Sequence, residues 1–335
     1  MSFQETLHKV LSGENLSEFE MMNAMTQVME GKVGDAQLAA FLTALQLKHE
    51  TVPEIVGAAR VMRAKAEKAK VQATHIVDTC GTGGDGADTF NISTAVAFVL
   101  AGAEVTVAKH GNRGVSSKSG SSDVLKALGV NIMLERDRVK ACLSEVGMAF
   151  LFAPLYHPIL KNVADIRKKI GTRTIFNILG PLLNPASVRC QLIGVYDFNL
   201  AESICKVMRD NGSKRVMVVH GSNGADEVTT IGITKVCELN NGEIKFWEFD
   251  PESVGLSNNS HNDLVGKDPI YNAGRIIDLL EGKKSAFYDN VVLNAAFVIY
   301  LSGMKSSLQT AIIYASDLID SGRSMQKLVQ LKEFR

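Results

Sequence analysis

The chain has no surplus of either charge: lysine and arginine number 36, and aspartate and glutamate also number 36. The broad basic field that draws nucleic acid or an anionic membrane surface is therefore missing, and neither partner is expected. No run approaches the ~20 consecutive apolar residues that a membrane-spanning helix requires. The opening MSFQETLHKV has charges but no apolar core behind them, so no secretory signal is expected. Cysteine is scarce and dispersed, at Cys80, Cys142, Cys190, Cys205 and Cys237, and no pair has CxxC spacing. A disulfide scaffold and a zinc knuckle are both disfavoured, and free thiols in a reducing, cytoplasmic setting are expected. Internal repeats and low-complexity tracts are also lacking.

The 335 residues are 46% hydrophobic, enough for one large domain and a smaller one. Residues 1 to about 70 read as helices. Ser17 and Glu20 form a capping box ahead of Phe19, Met22, Met25 and Met29. Asp35 is placed to cap AQLAAFLTALQLK, and Thr51 with Pro53 opens the helix that follows. Met21, Met22, Met25 and Phe41 offer either a subunit interface or an ordinary core. From His75 the pattern changes to strands HIVDT, EVTVAKH, RCQLIGVY and RVMVVHG alternating with helices. The fold class expected is α/β, a small helical N-terminal domain followed by a larger domain with a mostly parallel sheet. VCELNNGEIKFWEFD reads as an antiparallel hairpin turning at Asn240–Gly242, and the chain is helical again beyond Pro269.

VDTCGTGGDGADTFNIST places four glycines in the six positions 81–86. A strand, a glycine loop and a helix start together suit an anion. The lysine of a P-loop does not follow. Gly81, Gly83 and Gly86 match GxGxxG by spacing, but Asp85 intrudes and TFNIST separates the glycines from the helix. Asp85 would repel a bare anion, so a positive ion is implied as well; a purely structural turn is the alternative. In the next loop Lys109, His110, Arg113 and Lys118 are interspersed with Gly111, Gly114, Gly120 and five serines. That mixture suits a polyanion approached closely by the backbone, unless the loop is simply solvated. After RVMVVHG, the adjacent Asp226 and Glu227 could hold Mg²⁺ through oxygen ligands. The serines have no evident His–Asp partners, so no dedicated nucleophile is expected.

GTGGDG, TFNIST, KHGNRGVSSKSGSSDVLKALG, RTIFNILGPLLNP and the DE of GADEVT, in this order, resemble the anthranilate phosphoribosyltransferases. The resemblance implies a homodimer of nucleoside phosphorylase/phosphoribosyltransferase-like fold, with residues 1–70 joined by helical residues 157–185 and an α/β domain over 71–335. It implies transfer of phosphoribose from phosphoribosyl pyrophosphate (PRPP) to anthranilate, a step toward tryptophan. Gly81, Gly84, Asp85, Thr89 and Asn91, Ile92, Ser93, Thr94 would line the pyrophosphate and ribose. Lys109, His110, Gly111, Asn112, Arg113, Gly114, Val115, Ser116, Ser117 and Ser121 would wrap the phosphates. Mg²⁺ would fall to Ser93, Asp226 and Glu227. Anthranilate would meet Gly81, Asn112 and Arg167, with His110, Tyr156 and His157 as pocket walls. Two other readings of these residues are a pyrimidine-nucleoside phosphorylase and a non-catalytic relative that binds nucleic acid.

Overall fold

The computed structural model describes residues 2–69, 71, 76–84, 86–114, 118–256 and 259–335. Four helices come first: α1 (Phe3–Leu11), α2 (Glu18–Met29), α3 (Asp35–Lys48) and α4 (Val52–Lys65). Ser17 accepts the N–H of Glu20, and the Glu20 carboxylate accepts the N–H of Ser17 at 2.7 Å, as the capping pattern predicts. Asp35 does not cap α3. Gly34 occupies the cap position, and Asp35 is the first helical residue, where its charge still complements the helix dipole. Glu54, in the first turn of α4, is fully buried. Its carboxylate takes the N–H groups of Leu16 and Thr51 at 2.8 Å each and the ammonium of Lys48 at 2.7 Å. That network ties α4 to the start of α2.

The α/β part runs β1 (Ile76–Gly81), α5 (Ile92–Gly102), β2 (Thr106–Gly111), α6 (Ser121–Ala127), α7 (Arg136–Glu145) and β3 (Met148–Phe152). Three helices follow: α8 (Ala153–Tyr156), α9 (Lys161–Ile170) and α10 (Ile175–Leu179). Next come β4 (Cys190–Gly194), α11 (Ala201–Asp210), β5 (Arg215–Gly221), β6 (Thr234–Asn240) and β7 (Glu243–Phe249). The chain closes with α12 (Pro269–Leu280), α13 (Ala286–Leu301), α14 (Leu308–Asp320) and α15 (Arg323–Glu333).

The seven strands form one sheet in the order β3-β2-β1-β4-β5-β6-β7. The first five are mutually parallel, and β6 and β7 are antiparallel additions. The hairpin closes through Asn241 and Gly242, with φ of 48° and 96°, the twist-matched two-residue turn that an Asn-Gly pair favours. Alternation along the strands divides the interior. Met217 and Val219 of β5 face one core, with α5 and α13, whereas Val216 and Val218 face the other, with α1–α4, α10 and α11. From β1 the chain crosses to β2 and β3, but β4 returns to the opposite side of β1 and leads to β5. The carboxyl ends of β1 and β4 therefore border a topological switch point, where open α/β sheets leave a crevice.

Met21, Met25 and Phe41 are fully buried within the chain, so they form core and are withdrawn as interface candidates. Phe19, expected among the apolar face positions, is 71% exposed; Leu11 and Leu47 are exposed as well. Among the described residues no helix is long and apolar enough to cross a membrane.

Candidate active site

A cavity of about 440 Å³ opens at the carboxyl ends of β1, β2, β4 and β5. Its walls come from the loop after β1, the first turn of α5, the loop after β2, helices α9 and α10, and the loop after β5. Parallel pairing sets Gly81 directly beside Gly194. Both positions require glycine for space, because a Cβ on Gly81 would overlap the Asp226 carboxylate and one on Gly194 would overlap the Asp226 carbonyl oxygen. The two glycines let the Asp226 main chain run across the strand ends. Asp226 Oδ2 then accepts the N–H of Gly83 at 2.6 Å.

Ser93 stands in the first turn of α5, a helix buried at almost every position. Lys109, near the end of β2, is 1% exposed and donates to Ser93 Oγ at 3.1 Å and to the Thr79 carbonyl at 2.9 Å. A buried ammonium needs a compensating charge, and Asp78, fully buried on β1, supplies it. Burial pushes Asp78 upward, opposed chiefly by the charge of Lys109 and by the Asn184 amide, which donates to its Oδ2 at 2.8 Å. Burial likewise pulls Lys109 down, and Asp78 opposes that shift.

In the loop after β2, Asn112 accepts from Ser121 Oγ at 3.3 Å through its carbonyl, while its Oδ1 takes the N–H of Arg113 at 2.8 Å. Asp123 Oδ2 receives the N–H groups of Gly114 and Gly120, each at 3.0 Å, which curls the loop onto the start of α6. Asn91 joins this loop to its neighbour by donating to the Ser119 carbonyl at 3.0 Å and accepting from Asn272 at 3.0 Å. His110 and His157 lie edge to face with centroids 5.3 Å apart. Burial, with His157 beside it, takes His110 down to about 3, so its ring is neutral; His157 is lowered by burial too. Arg167 on α9 is half-buried, lies 5.2 Å from the centre of the Phe176 ring, and makes no ion pair among the described residues.

Gly81, Gly84, Thr89, Asn91, Ile92, Ser93, Thr94, Lys109, His110, Gly111, Asn112, Arg113, Gly114, Ser121, His157, Arg167, Asp226 and Glu227 all contribute to the cavity lining. Tyr156 does not; it is 1% exposed and packs into the core beside the sheet. Lys118 is also outside, paired with Asp88 at 3.2 Å. Asp85, Val115, Ser116 and Ser117 lie outside the described residues. Sequence reasoning assigned no role to Leu160, Phe176, Asn177, Pro181 or Asn294, which also line the cavity. Arg173 was missed as well: it donates to the Gly84 carbonyl at 2.7 Å and lies 4.2 Å over the Tyr196 ring. Phe176, Asn177 and Pro181 fall in the conspicuous RTIFNILGPLLNP run, whereas Asn294 sits in an apolar helix with no local signal.

Among the described residues no three His, Cys, Asp or Glu side chains converge as a metal cluster. Ser93, Asp226 and Glu227 border the same cavity, and their side chains offer a sparse hard-donor set that suits an ion sharing its shell with phosphate and water. The site can thus hold a polyanion against amide N–H groups and cations. Beside it, Arg167 and the neutral imidazoles can hold a flat acidic molecule.

Residues 73–325 match the family model "Glycosyl transferase family, a/b domain", and residues 4–66 match "Glycosyl transferase family, helical bundle domain". The chain is 48% identical over 331 residues to the anthranilate phosphoribosyltransferase of Acetivibrio thermocellus, covering 99% of this chain and 96% of that one. The crystal structure of anthranilate phosphoribosyltransferase from Thermus thermophilus superposes with a TM-score of 0.91 at 37% identity, covering 98% of both chains. The Saccharomyces cerevisiae anthranilate phosphoribosyltransferase in complex with PRPP and Mg gives a TM-score of 0.89 at 29% identity, covering 98% of this chain and 96% of that one.

Proposed function

The chain belongs to the anthranilate phosphoribosyltransferases, and we propose that it joins the amine of anthranilate to C1 of PRPP, releasing pyrophosphate. The observation that carries this reading is the placing of Ser93, Lys109, Arg167 and Asp226, from four separate segments, around one cavity.

The amine nitrogen forms a bond to C1 as the bond from C1 to pyrophosphate oxygen breaks, and the nitrogen loses a proton. Positive charge builds on the ribose and negative charge on the leaving group, so the protein's main task is to stabilise and align. We assign the glycine-loop amides at Gly81 and Gly84, with Thr89 and Asn91 to Thr94, to the pyrophosphate and ribose. Lys109 and the loop from His110 to Gly114, with Ser121, would hold the phosphates. Asp85 and Val115 to Ser117 are assigned to the same two groups from sequence. The Lys109 ammonium, held between Thr79 and Ser93, gives the leaving group a fixed positive charge. Ser93, Asp226 and Glu227 would hold Mg²⁺, which when bound supplies further neutralisation at phosphate oxygen.

Arg167 would grip the anthranilate carboxylate, with Gly81, Asn112, His110 and His157 around the ring. Burial lowers both imidazoles, which favours the neutral ring and suits a pocket wall. No dedicated base is assigned, because the anilinium formed on bonding is strongly acidic. We further assign a cytoplasmic homodimer, residues 1–70 with 157–185 as a helical domain, and 71–335 as the α/β domain. Contacts of α9 with α2 and α3, and of α10 with α3 and α4, support the helical grouping. Product formation from anthranilate and PRPP, against no turnover of uridine or thymidine with phosphate, tests the reaction.

A further inference from the structure

The Asp226–Glu227 pair sits on a loop, yet its main chain is gripped from both sides. On one side lie Gly81 and Gly194, which admit the Asp226 backbone. On the other lies Asn294, on α13, only 3% exposed. Its Oδ1 accepts the N–H of Val228 at 3.0 Å, and its Nδ2 donates to the carbonyl of the same residue at 2.7 Å. One carboxamide thus satisfies both main-chain groups of the residue that follows Glu227, as a neighbouring strand would.

The amide can point only one way. Asn290, one turn earlier, accepts from Asn294 Nδ2 through Oδ1 at 2.6 Å and through its carbonyl at 2.9 Å. Reversing Asn294 would set Nδ2 against the Val228 N–H and Oδ1 against three acceptors, the Val228 carbonyl and both oxygens of Asn290. Both asparagines are buried in a helix whose other inward positions include Val291, Leu293, Ala295 and Phe297. A polar side chain in such surroundings is costly unless bonded. Asn294 uses both ends of its carboxamide, whereas Asn290 Nδ2 is buried without a hydrogen-bond partner among the described residues, so Asn290 acts here as an acceptor only.

We propose that Asn294 is a positioning residue for the Asp226–Glu227 carboxylates, locking the Val228 peptide so that both project into the cavity at fixed places. The inference rests on the metal role assigned above to that pair. Groups that orient metal ligands through a second layer of hydrogen bonds commonly affect metal affinity by about 10–100-fold.

The test uses Asn294→Ala in the full chain, with Mn²⁺ as probe in the presence of PRPP. Mn²⁺ affinity is read by calorimetry, and exchange of the Val228 amide is read by hydrogen–deuterium exchange on the metal-free protein. Binding weaker by at least about tenfold, together with faster exchange in residues 225–230, is expected. Mn²⁺ binding equal to that of the parent, with the amide exposed, overturns the proposal. Asp226→Ala separates the two layers: if it binds Mn²⁺ and PRPP like the parent, the metal assignment has failed, and the role of Asn294 fails with it. If Asp226→Ala binds weakly and Asn294→Ala normally, only the present inference fails. Should Asn294→Ala not fold, Asn290→Ala, which removes the orienting acceptor, is expected to weaken binding in the same direction. Unchanged binding there counts against the proposal.

Discussion

The carboxylate of Asp226 and the main chain of Gly83 are joined by a 2.6 Å hydrogen bond, so the loops after β1 and β5 meet directly at the cavity. That contact depends on Gly194, where any Cβ would occupy the place of the Asp226 carbonyl. Gly194→Ala is expected to lower stability by about 1–3 kcal/mol, the usual cost of overpacking. Activity should fall further than the loss of folded protein accounts for, since the carboxylates move with the loop. Melting temperature and rate at saturating Mg²⁺, measured together, check this; full activity in a folded variant would contradict it.

Asp78 and Lys109 are both buried beneath the cavity and, without touching as an ion pair, offset each other's burial. Lys109→Met leaves a buried carboxyl without the cation that offsets its burial, at a cost of about 1–3 kcal/mol, less than for a direct ion pair. Adding Asp78→Asn to that variant should restore much of the stability while leaving turnover very low, if Lys109 holds the phosphates as proposed. Denaturant unfolding of the two single variants and the double variant closes the cycle. A double variant no more stable than Lys109→Met would refute the pairing.

Arg167 makes no ion pair among the described residues and is half-buried against Phe176, so its replacement should cost folding only about 1 kcal/mol, the ordinary size for a single substitution. Loss of a hydrogen-bonded charge contact of about 1.5–3 kcal/mol predicts a KM for anthranilate roughly 10–100-fold higher in Arg167→Gln. The KM for PRPP should stay near the parent value. Equal effects on both substrates would place Arg167 elsewhere in the mechanism.

His110 sits near 3 in the folded chain, against an ordinary value of 6.5. Above pH 6.5 neither state is protonated there, and the ring adds no pH dependence. Between that point and about 3 the unfolded chain takes up a proton that the folded chain does not, so stability falls as pH drops. The slope approaches about 1.4 kcal/mol per pH unit for each such group, and His157 acts with the same sign. His110→Gln should flatten the fall between about pH 6 and 5 in urea titrations, and an unaltered slope would count against a buried neutral imidazole.

Much of this arrangement was legible in the sequence because its signals are local. A capping box, an Asn-Gly turn and glycine-rich strand ends act within a few residues, and the parallel strands read as runs of β-branched residues. β3 escaped notice: MAFLF is buried at every position and has no alternation to distinguish it from a helix segment. Asp35 reads as a cap, but the cap is Gly34, one residue earlier, a shift that propensity alone does not resolve. Met21, Met25 and Phe41 could equally have faced a partner, since periodicity reports an apolar face and not what covers it. The tertiary partners were invisible for the same reason. Asn294 lies 66 positions from Val228, and Arg173 lies 89 from Gly84; nothing in either local pattern marks the contact.

The most direct test of the proposed reaction is loss of anthranilate fluorescence on mixing the protein with anthranilate, PRPP and Mg²⁺. The decay is expected to require all three components and to disappear in the doubly substituted Asp226→Ala/Glu227→Ala protein while the fold is retained. A folded parent protein that leaves anthranilate unchanged across a range of Mg²⁺ concentrations, or a double variant that still turns over at the parent rate, would contradict it.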